Sequence, residues 1–117
     1  MRLLIVEDNV EMRRLLCSLV ADLADSITEC GDGDEVVAAY QAGQFTAADR
    51  VLMDLHMPHV NGLEATRQLR AACPEAHIII VTQDDNARSR HAALAAGACA
   101  YVLKDNLLEL RQWLTQP

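Results

Sequence analysis

The sequence predicts a doubly wound α/β fold, in which one five-stranded parallel sheet of order 2-1-3-4-5 carries five helices on its two faces. Four short runs are wholly apolar, which is typical of parallel strands buried on both sides. Segments with helical periodicity separate these runs, and right-handed crossovers between parallel strands place the helices on both faces. Since the connections are too short to divide the chain, we expect one domain over residues 1–117.

The apolar runs supply four of the five predicted strands. They cover residues 3–6, 51–53, 78–81 and 101–103. The fifth predicted strand, residues 26–30, alternates apolar and polar side chains, as expected of a strand at an exposed sheet edge.

The predicted helices lie between and after the strands. Apolar residues recur at helical spacing over 10–24, and four further helices are expected at 34–42, 62–73, 86–96 and 106–115. Pro74 ends the third helix and Gly97 ends the fourth.

Charge and aromatic content exclude one class of partner. The 117 residues include 10 basic and 17 acidic ones, for a net charge of −7, and Lys104 is the only lysine. Phosphate backbones are bound through clustered lysine and arginine, so we expect no nucleic-acid contact by this chain. Only four aromatic residues are present, too few to form a platform for base stacking.

The cysteines and the N-terminus indicate the compartment. The four cysteines form no C-x-x-C pair and lie in or beside apolar stretches, which predicts reduced, buried side chains. Charges occur within the first eight residues, and no apolar run approaches the length of a membrane span. We therefore expect a cytoplasmic chain with no membrane contact.

Polar residues follow the buried strands where each strand ends. Glu7 and Asp8 follow the first strand, Asp54 the third, Thr82 the fourth and Lys104 the fifth. The carboxyl ends of parallel strands lie along one sheet edge, and ligands bind there near the point where strand order reverses. In the order 2-1-3-4-5 the first and third strands are neighbours, so the three carboxylates are expected to converge.

Three converging carboxylates repel one another unless a cation joins them. A hard divalent ion with oxygen ligands, Mg²⁺, meets this need. A lysine and a hydroxyl on the same edge then complete a site for a transferred phosphoryl group, whose peripheral oxygens carry the charge. The nucleophile in such a site is a carboxylate, which forms an aspartyl phosphate.

With these residues in place, the sequence resembles the receiver domain of two-component response regulators. The resemblance spans nearly the whole chain, and its ordered set of four strand-end motifs is specific. The matching segments are Val-Glu-Asp at 6–8, Met-Asp-Leu-His-Met-Pro at 53–58 followed by Asn61-Gly62, Val-Thr at 81–82, and Tyr-Val-Leu-Lys at 101–104. The family implies a flavodoxin-like fold.

The resemblance also implies a role for each site residue. Asp54 corresponds to the phosphoacceptor. Asp8, Asp54 and the backbone carbonyl of His56 correspond to direct Mg²⁺ ligands, while Glu7 acts through water. Thr82 and Lys104 correspond to the residues that contact the phosphoryl oxygens.

The same family has a switch and an output face. Tyr101 matches the switch aromatic that moves inward when Thr82 is drawn toward the phosphate. The fourth helix, fifth strand and fifth helix, residues 86–113, correspond to the output face. The implied partners are a sensor histidine kinase or a phosphotransfer protein, with a homodimer as a further option. No turnover of a separate substrate is implied.

Two positions depart from the family pattern. Gln83 stands where a small residue is usual, and its bulk is expected to narrow access for the phosphodonor. Asp105 replaces a frequent proline, and the resulting Leu-Lys-Asp resembles the subfamily that carries a LuxR/FixJ-type helix-turn-helix output domain, which controls transcription. We expect no such output domain within residues 1–117.

Three other interpretations stay open at this point. One is a receiver-like interaction module that works without phosphorylation. Another is a small Mg²⁺-dependent phosphatase, although His56 occupies the place of the second aspartate that would act as general acid. The third is zinc binding by His56 and His59, which lack further ligands in an irregular loop.

Overall fold

A computed structural model describes residues 1–115 of the chain, so the last two residues of the predicted domain lie outside the described part. Five parallel strands form one sheet in the order β2-β1-β3-β4-β5, which confirms the predicted fold. The strands are β1 Arg2–Val6, β2 Ser26–Cys30, β3 Arg50–Met53, β4 Ile78–Thr82 and β5 Ala100–Leu103. The helices are α1 Val10–Val20, α2 Val36–Ala42, α3 Gly62–Ala72, α4 Ala87–Ala96 and α5 Leu108–Leu114.

Strand register brings the carboxyl ends of the strands to one level. Val6, at the end of β1, is paired with Cys30 of β2 on one side and with Met53 of β3 on the other. At the other side of the sheet, Thr82 ends β4 beside Leu103 of β5. The residues that follow these strands therefore emerge along a single edge.

Alternation along each strand divides the core between the two sheet faces. Since successive strand side chains point to opposite sides, each central strand contributes to both faces. One face is covered by α2, α3 and α4, and the other by α1 and α5. Buried side chains of the first face include Leu4, Val6, Val51, Met53, Ile78 and Ile80, and those of the second include Leu3, Ile5, Leu52, Ile79, Val81 and Val102.

The helix ends differ in detail from the prediction. The predicted helix over 10–24 is α-helical only to Val20, and the short 3₁₀ helix Ala21–Leu23 follows it. A second 3₁₀ helix, Gly33–Glu35, precedes α2, and α5 starts at Leu108 rather than at residue 106. Helix ends commonly tighten in this way, because their terminal N–H and C=O groups lack partners within the α-helix.

The cysteines are all free, but their burial is uneven. Cys30 and Cys73 are buried and Cys17 is partly buried, whereas Cys99 is exposed. The expectation of buried cysteines is therefore wrong for Cys99, which lies in the turn between α4 and β5. Among residues 1–115, no helix is long and apolar enough to cross a membrane.

Candidate functional site

Three carboxylates meet at the carboxyl edge of the sheet. Glu7 and Asp8 follow β1, and Asp54 follows β3. The backbone N–H of Asp54 donates to the carbonyl of Val6 at 3.0 Å, which extends the pairing of the two strands up to the site. One carboxylate oxygen from each acidic residue lies within 4.8 Å of the others. Glu7 and Asp54 are buried and Asp8 is exposed.

Lys104, directly after β5, reaches two of these carboxylates. Its Nζ atom lies 2.6 Å from Oε1 of Glu7 and donates to Oδ2 of Asp54 at 3.2 Å. The backbone N–H of Lys104 donates to the carbonyl of Thr82 at 2.8 Å, which fixes the start of this side chain beside β4. Burial opposes the charged ammonium, but the close contacts with the negatively charged Glu7 and Asp54 carboxylates outweigh it and raise the pKa of Lys104.

The surroundings of Glu7 disfavour its charged form. The pKa of Glu7 is raised to about 7: burial is the largest cause and the negative charge of Asp54 adds to it, while the Lys104 ammonium acts in the opposite direction. The close approach of Lys104 is an ion pair that is poorly aligned as a hydrogen bond. Among the described residues, Oε1 of Glu7 receives no hydrogen bond although it is buried.

These features fit a divalent cation. The donors are carboxylate oxygens, which a hard ion such as Mg²⁺ prefers. The three carboxylates Glu7, Asp8 and Asp54 face a single positive charge, that of Lys104. A cation at the cluster would supply the positive charge that is missing. The under-satisfied oxygen of Glu7 is an available ligand atom, either directly or through a water molecule.

Backbone groups of the following loop fix both the side chain and the main chain of Asp54. Its Oδ1 accepts the N–H of Leu55 at 2.8 Å. Gly62, at the start of α3, donates its N–H to the carbonyl of Leu55 at 2.8 Å. A Cβ atom at Gly62 would lie 1.9 Å from the backbone oxygen of Asp54, so only glycine permits this close approach. The Asn61-Gly62 pair thus closes the β3–α3 loop, residues 54–61, against the Asp54 backbone.

An open cavity of about 440 Å³ leads to the site. Gln83 is exposed and stands at the cavity wall with Asp54 and Lys104, so its side chain borders the approach to the carboxylate. The cavity is lined by Glu7, Asp8, Asn9, Glu11, Met12, Leu15, Asp54, Gln83 and Lys104.

Thr82 and Tyr101 are connected through Asp84. Thr82 is the last residue of β4 and is buried, and its hydroxyl accepts the backbone N–H of Asp84 at 3.3 Å. Tyr101 is also buried, and its hydroxyl donates to the backbone carbonyl of Asp84 at 2.7 Å. The Arg90 guanidinium lies 4.7 Å from the centre of the Tyr101 ring. The tyrosine ring is therefore inside the molecule in this structure.

The two histidines of the β3–α3 loop face different carboxylates. Nε2 of His56 lies 3.5 Å from Oδ2 of Asp84, and Nδ1 of His59 lies 3.3 Å from Oδ2 of Asp32. His56 lines a neighbouring cavity of about 310 Å³. This arrangement gives no support to the zinc interpretation, because the two imidazoles do not share a ligand cluster among residues 1–115.

Two residues near the site were not identified from the sequence. The Arg13 guanidinium of α1 donates through one nitrogen to the backbone carbonyl of Glu7 at 2.8 Å and through Nε to Glu29 at 3.0 Å. Asp32, on the connection between β2 and α2, accepts backbone N–H groups of the β3–α3 loop. Neither interaction has a sequence signal, because in each the side chain bonds to a backbone group, which any residue type can supply.

Comparison with known proteins gives a consistent result. The family model for the response regulator receiver domain matches residues 3–115. The transcriptional regulatory protein YxjL of Bacillus subtilis (strain 168) is 37% identical over 81 residues, which are 69% of this chain and 36% of that protein. The chain thus spans about a third of the length of that relative.

Solved structures of receiver domains have the same fold. A LuxR-family two-component response regulator from Aurantimonas sp. SI85-9A1 is 28% identical, with a TM-score of 0.83 over 97% of this chain and 84% of that one. The receiver domain of Ssk1 from Saccharomyces cerevisiae, crystallised with the histidine phosphotransfer protein Ypd1, is 26% identical, with a TM-score of 0.86 over 98% and 86%. Together with the family match over almost all of the chain, these similarities show that it belongs to the response regulator receiver domains of two-component signalling.

Proposed function

We propose that this chain is a phosphorylation-controlled receiver that takes a phosphoryl group onto Asp54 from a phosphohistidine. In this step an Asp54 oxygen bonds to phosphorus while the phosphorus–nitrogen bond breaks and the histidine nitrogen keeps the electron pair. The observation that carries the proposal is the position of Lys104, whose ammonium lies within 3.2 Å of the Asp54 carboxylate beside an open cavity.

The contacts of Asp54 suit a nucleophile. The Leu55 N–H fixes Oδ1 and Lys104 approaches Oδ2, so the carboxylate is oriented before a donor arrives. Phosphoryl transfer has a loose transition state, in which the peripheral oxygens carry most of the charge. The Lys104 ammonium is placed to offset that charge on the transferred group.

The acidic cluster is proposed to hold Mg²⁺ through Asp8, Asp54 and the backbone carbonyl of His56, with Glu7 acting through water. When bound, the ion neutralises charge between the acceptor and the phosphoryl oxygens. The under-satisfied Glu7 oxygen and the all-oxygen donor set support this assignment.

Thr82, Asp84 and Tyr101 are proposed to transmit the new charge. The Thr82 hydroxyl accepts the Asp84 N–H, and its own hydrogen can be donated to a phosphoryl oxygen once the side chain rotates. The carbonyl of Asp84 accepts the hydrogen bond of the Tyr101 hydroxyl. Rotation of Thr82 therefore shifts Asp84 and changes the hydrogen bond that positions the tyrosine. We propose that the output face, formed by α4, β5 and α5, responds to this change; exposed Leu94 and Leu108 on this face support a contact surface.

The partners proposed are a sensor histidine kinase or phosphotransfer protein as donor and, for the output, a helix-turn-helix domain or a second receiver. The similarity to LuxR-family regulators and to a receiver crystallised with a phosphotransfer protein supports these classes. Its own phosphorylation and dephosphorylation would be the only reactions that the chain promotes.

Intact-mass measurement tests the proposal. The chain is incubated with Mg²⁺ and either acetyl phosphate or phosphoramidate, whose phosphorus–nitrogen bond resembles that of phosphohistidine. The expected result is one added phosphoryl group that is lost in Asp54→Asn. As a control, Glu75→Gln, which removes an exposed carboxylate before β4, still gains the group.

Two results would favour other functions. No mass increase with either donor would overturn the proposal and favour an interaction module that works without phosphorylation. Release of many equivalents of phosphate from an added monoester would instead indicate a phosphatase.

A further inference from the structure

Asp32, on the connection between β2 and α2, accepts hydrogen bonds from the β3–α3 loop and lies outside the proposed site. Its Oδ2 accepts the N–H of His59 at 3.0 Å, and its Oδ1 accepts the N–H of Val60 at 2.8 Å. Oδ1 also accepts the N–H of Asp34 at 3.4 Å, within its own connection. The two carboxylate oxygens thus join segments that are 27 and 28 residues apart in sequence.

The surroundings of the Asp32 carboxylate favour its charged form. Asp32 is only 6% exposed. Burial by itself would raise the pKa of Asp32, but the N–H groups of His59, Val60 and Asp34 outweigh it and lower the pKa to about 2. Hydrogen bonds from backbone N–H groups to a buried carboxylate are among the stronger ones in proteins.

Gly33 brings the two segments into direct contact. A Cβ atom at this position would lie 2.2 Å from the carbonyl oxygen of Val60 and 3.1 Å from the Cβ of Ala65. The backbone of residues 32–33 therefore lies against the backbone of residues 59–60. This contact leaves no room for the loop to move toward α2 and holds it where Asp32 can accept both N–H groups.

The loop is consequently fixed at two places. Near its base, Gly62 donates to the Leu55 carbonyl and lies against the Asp54 backbone. Near its tip, Asp32 and Gly33 hold residues 59 and 60. Between these anchors lies His56, whose backbone carbonyl is the ligand proposed for Mg²⁺.

We propose that Asp32 is a positioning residue for the Mg²⁺ site: by holding the 59–60 backbone it keeps the β3–α3 loop in the shape that presents the His56 carbonyl to the cation. This inference rests on the proposed function, since it requires Mg²⁺ to bind at the acidic cluster. Asp32 itself contacts neither the cation nor the phosphoryl group in this scheme. Its removal is expected to weaken Mg²⁺ binding while all the proposed ligands remain.

The test compares Asp32→Asn with Glu35→Gln. Asn keeps the shape of the Asp32 side chain but has a single acceptor oxygen, so one of the two loop N–H groups loses its partner. Glu35→Gln removes one negative charge from an exposed side chain three residues away, which controls for long-range electrostatics. Mg²⁺ alone is titrated into ¹⁵N-labelled protein, and dissociation constants are taken from the amide shifts of the site residues.

For Asp32→Asn we expect the Mg²⁺ dissociation constant to rise about fivefold or more, as is usual for energetic coupling between separate positions. The His59 and Val60 amides should exchange faster with solvent, while those of β3 and β4 stay protected. Glu35→Gln is expected to bind Mg²⁺ like the wild type. Equal binding by both variants, with faster exchange at residues 59 and 60, would overturn the positioning role and leave the proposed function intact.

A measurement on the wild type needs no variant. Because coupling is reciprocal, saturating Mg²⁺ should slow hydrogen exchange of the His59 and Val60 amides by about the same factor of five or more. Unchanged exchange at both amides under saturation overturns the inference even where Asp32→Asn fails to fold. If Mg²⁺ causes no saturable shift in the wild type, the proposed Mg²⁺ site fails together with this inference.

Discussion

The ammonium of Lys104 lies 2.6 Å from the carboxylate of Glu7, yet the pKa of that carboxyl is raised to about 7. Burial is the main cause, because it removes water from a charge that a single lysine must share with Asp54. The site therefore contains too little positive charge for its carboxylates, and this lowers the free energy of unfolding.

Glu7→Gln should stabilise the protein at pH 8 in the presence of EDTA. Because the folded-state pKa of about 7 lies above the ordinary 4.5, the contribution of Glu7 is intact below pH 4.5 and is lost as the pH rises through 7. The difference corresponds to about 3 kcal/mol. Urea unfolding at several pH values from 5 to 8 should show wild-type stability falling relative to the variant.

The control for this experiment is Glu11→Gln, which removes an exposed acid from the same cavity. Its free energy of unfolding should stay within about 0.5 kcal/mol of the wild type across the range. A wild-type profile parallel to that of Glu7→Gln would show that Glu7 does not titrate in this interval.

Mg²⁺ should raise the thermal unfolding midpoint at pH 8, and Asp8→Asn should remove most of this effect. A cation that binds only the folded chain stabilises it by about 2.7 kcal/mol at 100 times its dissociation constant. Asp105→Asn, an exposed acid next to Lys104, serves as the control and should respond like the wild type. An unchanged Mg²⁺ response in Asp8→Asn would contradict the ligand assignment.

Gly62→Ala should destabilise the chain and impair the site, whereas Gly31→Ala should do neither. The new methyl group at Gly62 would meet the Asp54 carbonyl oxygen at 1.9 Å, and relieving that overlap must displace the loop. Such overpacking typically costs about 1–3 kcal/mol or more. At Gly31 the nearest atom is a side-chain nitrogen of Arg13 at 3.8 Å, an ordinary contact. Chemical denaturation of both variants checks the contrast.

Tyr101→Phe should cost about 1 kcal/mol, because it removes the donor of a hydrogen bond to the Asp84 carbonyl. Tyr40 provides a matched control, since it is equally buried and its hydroxyl has no partner among residues 1–115. Tyr40→Phe is expected to be neutral or stabilising. The two variants are compared by urea unfolding, and equal destabilisation would contradict the assigned hydrogen bond.

The fold followed from the sequence because its main signals are local. Runs such as 78–81 are apolar on both sides of the strand, which is typical of a sheet covered on two faces. Part of the site could be predicted for the same reason. Once the strand order is known, the position of the residue after each strand along the sheet edge is known too. Glu7, Asp54 and Lys104 are therefore found together from strand ends alone.

What the sequence did not reveal depends on backbone groups. Asp32 accepts N–H groups of a distant segment and Arg13 donates to the C=O of Glu7, and every residue except proline carries both backbone groups, so no residue type marks the partner. The shorter α1 and the exposed Cys99 likewise depend on how the helix ends meet the next strand, which local periodicity does not describe.

That Lys104 is the only lysine has a practical consequence for chemical labelling. Nζ of Lys104 is the one side-chain primary amine in the sequence that an acylating reagent can modify. The raised pKa of Lys104 lowers the deprotonated fraction of its nitrogen, and so slows its acylation, while Glu7 and Asp54 are in contact with it. A cation or phosphoryl group that binds those carboxylates would change how fast Nζ of Lys104 is acylated. The extent of acylation of the one peptide that contains Lys104, measured as a mass shift, would therefore show whether the site is occupied.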